Sequence, residues 1–159
     1  MEFFLKLFSN YMLISAGAAW LVAQICKIFT GMISCGKKKI NFVSLIFESG
    51  GMPSSHSACV SALAASAAIY YGMDSAAFAI SIILALVVMR DASGVRREAG
   101  KQAELLNTLA DEINSDVDIK LQEKIGHSPL QVIIGMTVGI MVAVMVYIIT
   151  DSVGIVPLV

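Results

Sequence analysis

The chain has 159 residues, of which 57% are hydrophobic and only 14% charged, against about 25% charged residues in an ordinary soluble domain. This excludes a soluble globular domain and predicts an integral membrane protein. It is all-α and forms one unit over residues 1–159, with room for a bundle of about four spanning helices of roughly 20 residues each. The net charge of −1 names no partner and gives no expectation of nucleic acid. Three cysteines, Cys26, Cys35 and Cys59, are odd in number and lack metal-type spacing, so they read as small apolar residues and not as a disulfide framework.

In chain order, the first spanning helix is predicted from Tyr11 to Ile33, with Lys27 near its far end, where a long amine can reach the headgroup layer. The first apolar run lacks the short h-region and small-residue cleavage site of a signal peptide, and none is expected. After Lys37, Lys38 and Lys39, the apolar piece Ile40 to Phe47 is too short to cross about 30 Å of hydrocarbon and predicts an interfacial or re-entrant segment. From Ser57 to Tyr71 the chain is rich in Ala and Ser, a composition that lets helix backbones approach closely and predicts a helix packed inside the bundle. Tyr70 to Ser75 is a short polar turn, and Ala76 to Met89 returns across the membrane to stop at Arg90 and Asp91.

Asp91 to Gly126 is a long polar insertion. Within it Leu105, Leu106, Leu109, Ile113 and Val117 recur at steps of three and four, predicting an amphipathic helix that lies on the membrane or caps the bundle through that stripe. Leu130 to Ile149 is the last span, with Gly135 and Gly139 spaced as a small-xxx-small packing face. Lysines 37–39 precede the second span, and Arg90, Arg96, Arg97 and Lys101 follow the third, so both basic loops are expected on one side, the cytoplasmic one. The same count of spans brings Lys27, His56, the arginines and His127 to a single face.

Such a set suits a phosphate ester held at a membrane surface. Cations and free backbone N–H groups surround the phosphate oxygens, and a nucleophile stands in line with the leaving oxygen. Pro53, Ser54 and Ser55 supply a rigid turn, capping hydroxyls and a helix start. Histidine, with a reference pKa of about 6.5, serves as base, nucleophile or acid near neutral pH. Taken singly, each histidine also reads as an ordinary helix-start residue, the lysines as topology signals or snorkelling amines, and Arg96 and Arg97 as either a phosphate clamp or a surface anchor.

The stretch MPSSHS, Met52 to Ser57, resembles the Pro-Ser-Gly-His motif of the type 2 phosphatidic acid phosphatase superfamily, and GHSPLQVIIG, Gly126 to Gly135, resembles its third motif. Together with RDASGVRREAGKQAE, Arg90 to Glu104, the fit is to the divergent membrane branch of that superfamily. The resemblance implies that His127 takes the phosphoryl group and His56 protonates the leaving group. It also implies that Ser54, Ser55, Arg96, Arg97 and Lys27, or one of the lysines 37–39, hold the phosphate, without metal or cofactor. Several positions depart from the pattern. No Arg-Pro pair is present, Ser55 stands for glycine, no Ser-Arg pair precedes His127, and Gln131 stands where an aspartate orients the nucleophile. An amide stabilises an imidazolium far less than a carboxylate does; Asp91, Glu98 or Glu48 is left to restore the negative charge.

The function expected is therefore hydrolysis of a lipid or isoprenoid phosphate or diphosphate through a phosphohistidine. The site would lie at the cytoplasmic face of the plasma membrane. The partners are the membrane and that substrate, and a homo-oligomer is left open. Two other readings stand beside it: a non-catalytic protein that binds anionic lipid phosphate or supports a partner, and a lipid-phosphate carrier.

Overall fold

The computed structural model describes residues 9–35, 51–113, 120–123 and 125–154. Five helices account for nearly all of them: α1 (Tyr11–Cys35), α2 (Ser55–Tyr71), α3 (Ala76–Ser93), α4 (Val95–Glu112) and α5 (Pro129–Ser152). Among the described residues three stretches are long and apolar enough to cross a membrane: Tyr11–Ile33, Ala76–Glu112 and Pro129–Ser152. The expected segment Ile40 to Phe47, the lysines 37–39 and Glu48 lie outside the described residues.

The bundle is built around α2, which packs against α1, α3 and α5. Its 17 residues fall short of a full span, and its composition suits the centre. Ser57, Ala58, Ser61, Ala62, Ala64, Ser66 and Ala67 are all buried, so small side chains point inward around most of its circumference and neighbouring backbones close on it. The innermost cluster is correspondingly alanine: Ala19 and Ala23 of α1, Ala58 and Ala62 of α2, and Ala143 of α5, with Val138 and Val142 packed against it. The larger apolar side chains, such as Leu21, Ile83 and Met145, face outward, the inverse of a soluble bundle, as hydrocarbon solvent requires.

The closest helix contact is that of α5 on α2. A methyl group built on Gly135 would strike the Ser54 carbonyl oxygen, and one on Gly139 would strike that of Ala58. The backbone bond from Ser54 N–H to the Gln131 carbonyl, 3.1 Å, closes the same seam at its polar end. At the opposite end Tyr70 stacks on Tyr11 with centroids 5.3 Å apart, meets Tyr147 edge-on at 5.8 Å and shares a 3.0 Å hydrogen bond with Thr150. Tyrosines so grouped, with apolar rings and polar tips, suit the membrane–water interface at this end of the bundle. The other is where α1 and α3 end and α2 and α5 begin.

Two expectations about the insertion change. The third span does not stop at Met89; helix continues through Arg90 and Asp91 to Ser93 and ends at Gly94, whose N–H bonds to the Arg90 carbonyl. Polar residues extend a helix freely once it leaves hydrocarbon, and the glycine, not the first charge, ends it. Of the two placements expected for the leucine stripe of α4, lying on the membrane or capping the bundle, the second is not met: Leu105, Leu106, Leu109 and Ile113 are 61%, 54%, 42% and 74% exposed. The buried positions of α4 are instead Gly100 and Ala103, and Val117 lies outside the described residues.

The seam between α2 and α5 predicts that Gly139→Ala, which sets a methyl against a backbone carbonyl that cannot rotate away, destabilises the protein by about 1–3 kcal/mol. Gly17→Ala is the control, since a methyl there meets nothing within 4 Å. Thermal unfolding of the purified protein in one detergent should separate the two variants, with Gly17→Ala at or above the wild-type midpoint.

Candidate functional site

Each turn of the polar face is fixed locally before it joins the others. Ser54 caps α2, its hydroxyl accepting from the Ser57 N–H at 3.3 Å and the Ser57 hydroxyl at 2.9 Å. Thr30 of α1 donates to the Met52 carbonyl at 2.6 Å, fastening the chain that enters the cap. Ser128 and Gln131 form a capping box on α5: the Ser128 hydroxyl accepts from Gln131 N–H at 3.3 Å, and the Gln131 side-chain oxygen accepts from Ser128 N–H at 2.7 Å. His127 immediately precedes that cap and donates its backbone N–H to the Ala92 carbonyl at 2.9 Å, tying it to the last turn of α3. Gly126, at φ +90°, lies so close to the backbone of Arg96 and Arg97 that a methyl group would meet the Arg97 nitrogen at 2.5 Å. A side chain at this position would both strain the backbone and push His127 away from α4.

These attachments bring the two histidines of the chain to one cavity of about 250 Å³, lined by His56, His127, Asp91, Arg96, Val87, Val88 and Ala92. His127 is buried at 3% exposure, and neither ring nitrogen has a hydrogen-bond partner among the described residues. A buried imidazole without partners costs about 1–3 kcal/mol in lost hydration, so the ring is held by its backbone and not drawn in by its own bonding. Burial lowers its pKa first, followed by the positive charges of Lys27, His56 and Arg96, to about 4. At neutral pH the ring is uncharged, with a free lone pair, as a nucleophile needs.

Lys27 is also buried, at 4% exposure. It therefore does not snorkel from α1 to the headgroups: its stem runs beneath Gly51, 3.6–3.7 Å from where a methyl group there would sit, and its charge acts on His127. Arg96 lines the cavity and pairs with Asp91 at 2.5 Å, across the bend at Gly94. Arg97 is exposed and is not among the lining residues; it meets the site through its backbone, which lies against Gly126. Ser54 and Ser55 are buried at the α2 start. Gln131 does not reach the His127 ring, because its amide is occupied in the capping box three residues away. Of the three carboxylates left open by the sequence, Asp91 is at the cavity. Glu98 is exposed and accepts a hydrogen bond from Lys101 at 2.8 Å. Among the described residues no three His, Cys, Asp or Glu side chains group as metal ligands.

Residues 8–142 match the Divergent PAP2 family. The chain belongs to that family. It is also 39% identical over 151 residues to the uncharacterized membrane protein YuiD of Bacillus subtilis (strain 168), an alignment that covers 86% of this chain and 94% of that one. No solved structure matches it. Membership accounts for the order of the three motifs along the chain, and the fold accounts for their meeting.

The lowered His127 pKa has a direct consequence for stability. The unfolded chain binds a proton at this position below about pH 6.5, whereas the folded one does not until about pH 4. Its contribution to stability is therefore present above pH 6.5 and is lost as the pH falls from 6.5 to 4. Unfolding midpoints across that window should fall more steeply for the wild type than for His127→Gln, which has no titrating group there. Parallel curves would show that His127 does not titrate as a buried ring.

Proposed function

We propose that the protein is a membrane-embedded phosphatase that hydrolyses a lipid or isoprenoid phosphate or diphosphate through a phosphohistidine at His127. The observation that carries the reading is the neutral, unpartnered imidazole of His127 facing one cavity with His56 and Arg96, with Lys27 close enough to act on its charge. A phosphate group entering that cavity meets cations for its oxygens and a lone pair for its phosphorus. Burial, then Arg96 and Lys27, hold the His56 pKa below the ordinary value in the free protein, and the ring takes up a proton as the phosphate's negative charge enters. In the first step a ring nitrogen of His127 bonds to phosphorus as the bond to the leaving oxygen breaks, and His56 so protonated gives that oxygen its proton. In the second, neutral His56 takes a proton from water, the water oxygen bonds to phosphorus, and the phosphorus–nitrogen bond breaks to release orthophosphate and restore His127. Arg96 neutralises the charge on the non-bridging oxygens in both steps.

An apolar tail is favoured by a second cavity of about 360 Å³ between α2, α3 and α5, lined by Ala64, Ile69, Phe78, Ile82, Ile140 and Val144 among others. It offers hydrocarbon contacts within the membrane part of the same bundle. Arg90, Arg96, Arg97 and Lys101 cluster around the α3–α4 bend, and the preference of such residues for cytoplasmic loops supports a site on the inner side of the plasma membrane. The missing carboxylate behind His127 favours a second reading, a protein that binds anionic lipid phosphate without turning it over.

The purified protein should release inorganic phosphate from phosphatidic acid, phosphatidylglycerol phosphate or a polyprenyl diphosphate without added metal, and vanadate should inhibit it. His127→Ala should lower the rate by about three orders of magnitude or more, and His56→Ala by about 10²–10⁴-fold. Arg96→Ala should weaken vanadate inhibition by roughly tenfold or more, whereas Arg97→Ala should leave it near wild type. If wild type and His127→Ala are equally inert while both bind the lipid, the binding reading replaces the enzymatic one.

A further inference from the structure

We propose that α4 is a splint for His127, with Asn107 and Gly100 as positioning residues that set the depth of the imidazole in its cavity. Residues 121–123 and 125–127 have no regular secondary structure of their own, so their backbone groups need partners from elsewhere. Asn107 supplies them. Its amide nitrogen donates to the Leu121 carbonyl at 2.9 Å, and its amide oxygen accepts from the Leu121 N–H at 2.9 Å. The side chain thus pairs with both backbone groups of one residue as a neighbouring strand would. The same nitrogen donates to a Glu123 carboxylate oxygen at 2.7 Å.

Two turns nearer the site, Gly100 admits the segment against the helix. A methyl group there would meet the Glu123 and Ile125 carbonyl oxygens at 2.6 and 2.8 Å. Gly126 then closes on the Arg96–Arg97 backbone, and the His127 N–H bonds to Ala92. Gly100, buried Ala103 and Asn107 follow at intervals of three and four along α4, one helical face. The exposed Leu105 and Leu109 occupy the opposite face, with Leu106 on its flank. The polar insertion thereby does structurally what a side-chain partner of the imidazole would do, holding the ring in place through the main chain.

The inference rests on His127 as the phosphoryl acceptor, but its first readout, histidine titration, needs no turnover. The chain has two histidines, so NMR of the full-length protein in detergent resolves two ring titrations, and His56→Asn assigns them. The charged groups facing His127 are Lys27 from α1, His56 from α2, Asp91 from α3 and Arg96 from α4. All four remain in Asn107→Ala and Gly100→Ala, so a shift in either variant reports ring position and hydration. Both variants should raise the His127 pKa from about 4 by roughly one unit or more as water reaches the ring.

In the phosphatase assay they should lower kcat by about tenfold or more with little change in KM. The double variant Asn107→Asp with Glu123→Gln exchanges donor and acceptor across that pair, keeps the acceptor for Leu121 N–H, and should recover part of the titration and the rate. A His127 titration unchanged in folded Asn107→Ala or folded Gly100→Ala overturns the splint, whatever the rate does. If one variant does not fold, the other decides. A shifted titration in a protein that releases no phosphate even as wild type upholds the splint and removes the enzymatic reading instead.

Discussion

The polar face depends on the backbone contact between α2 and α5. Gly135 and Gly139 let α5 lie against the carbonyls of Ser54 and Ala58, and Ser54 N–H bonds to the Gln131 carbonyl. The first turns of the two helices are therefore fixed to one another at main-chain distance. His56 is on the first turn of one, and His127 is two residues before the other. Larger residues at the glycines would separate the helices by the width of a side chain, about the dimension of a phosphoryl group, and the histidines would cease to share a cavity. In hydrocarbon, where apolar side chains gain nothing by meeting one another, close backbone packing is the main means of holding such a contact. The alanine cluster beneath it extends the same seam toward the aromatic end.

Among the described residues, the charged groups at the cavity are the Asp91 carboxylate and the Arg96 guanidinium in its lining, with Lys27 near enough to act on His127. Lys27 and Arg96 lower the His127 pKa alongside burial, while Asp91 pairs with Arg96 at the cavity wall. An ion pair with partners 48% and 39% exposed is weakly held in water, so Arg96 is available to a stronger anion. A phosphate carrying one or two negative charges would balance Lys27 and Arg96 together. Desolvation by burial and by the ligand would then strengthen each attraction. The same field that keeps His127 neutral in the free protein would favour the negatively charged transition state once phosphate is bound.

How much of this was legible in the sequence follows from which forces are local. The hairpin at Tyr70 to Ser75, the inner position of the Ala/Ser helix, the small-xxx-small face and the gathering of Lys27, His56, Arg96 and His127 at one end all follow from composition, glycine spacing and the parity of crossings. The sequence leaves Lys27 between a snorkelling amine and a phosphate ligand, because nothing near it in sequence reveals that Gly51 covers it. Gln131 was assigned by motif position, yet its placement three residues after Ser128 is equally the signature of a capping box, and the local bond prevailed over the distant one. The α4 stripe shows only that one face is apolar; it carries no information about the opposite face, where Gly100 and Asn107 make the contacts that matter to the site. Asp91 was one of three candidate carboxylates, and only the fold distinguishes it from Glu98.

The substitution of an amide for the expected carboxylate changes how the histidine is held. A carboxylate hydrogen-bonded to an imidazole fixes its tautomer and orientation and stabilises the cation that forms during reaction. Here orientation comes from the main chain: the Ala92 carbonyl, the Gly126 contact and the Ser128 cap constrain the backbone on both sides of the ring. Backbone restraint fixes where the ring sits but adds no negative charge to support its cation. A nucleophilic histidine so held starts neutral and must carry its developing charge against Lys27 and Arg96, unless the phosphoryl oxygens offset it. If His127 is the phosphoryl acceptor, its attack would be favoured only with the substrate's own charge already in the cavity, which would tie reactivity at His127 to occupancy by a phosphate.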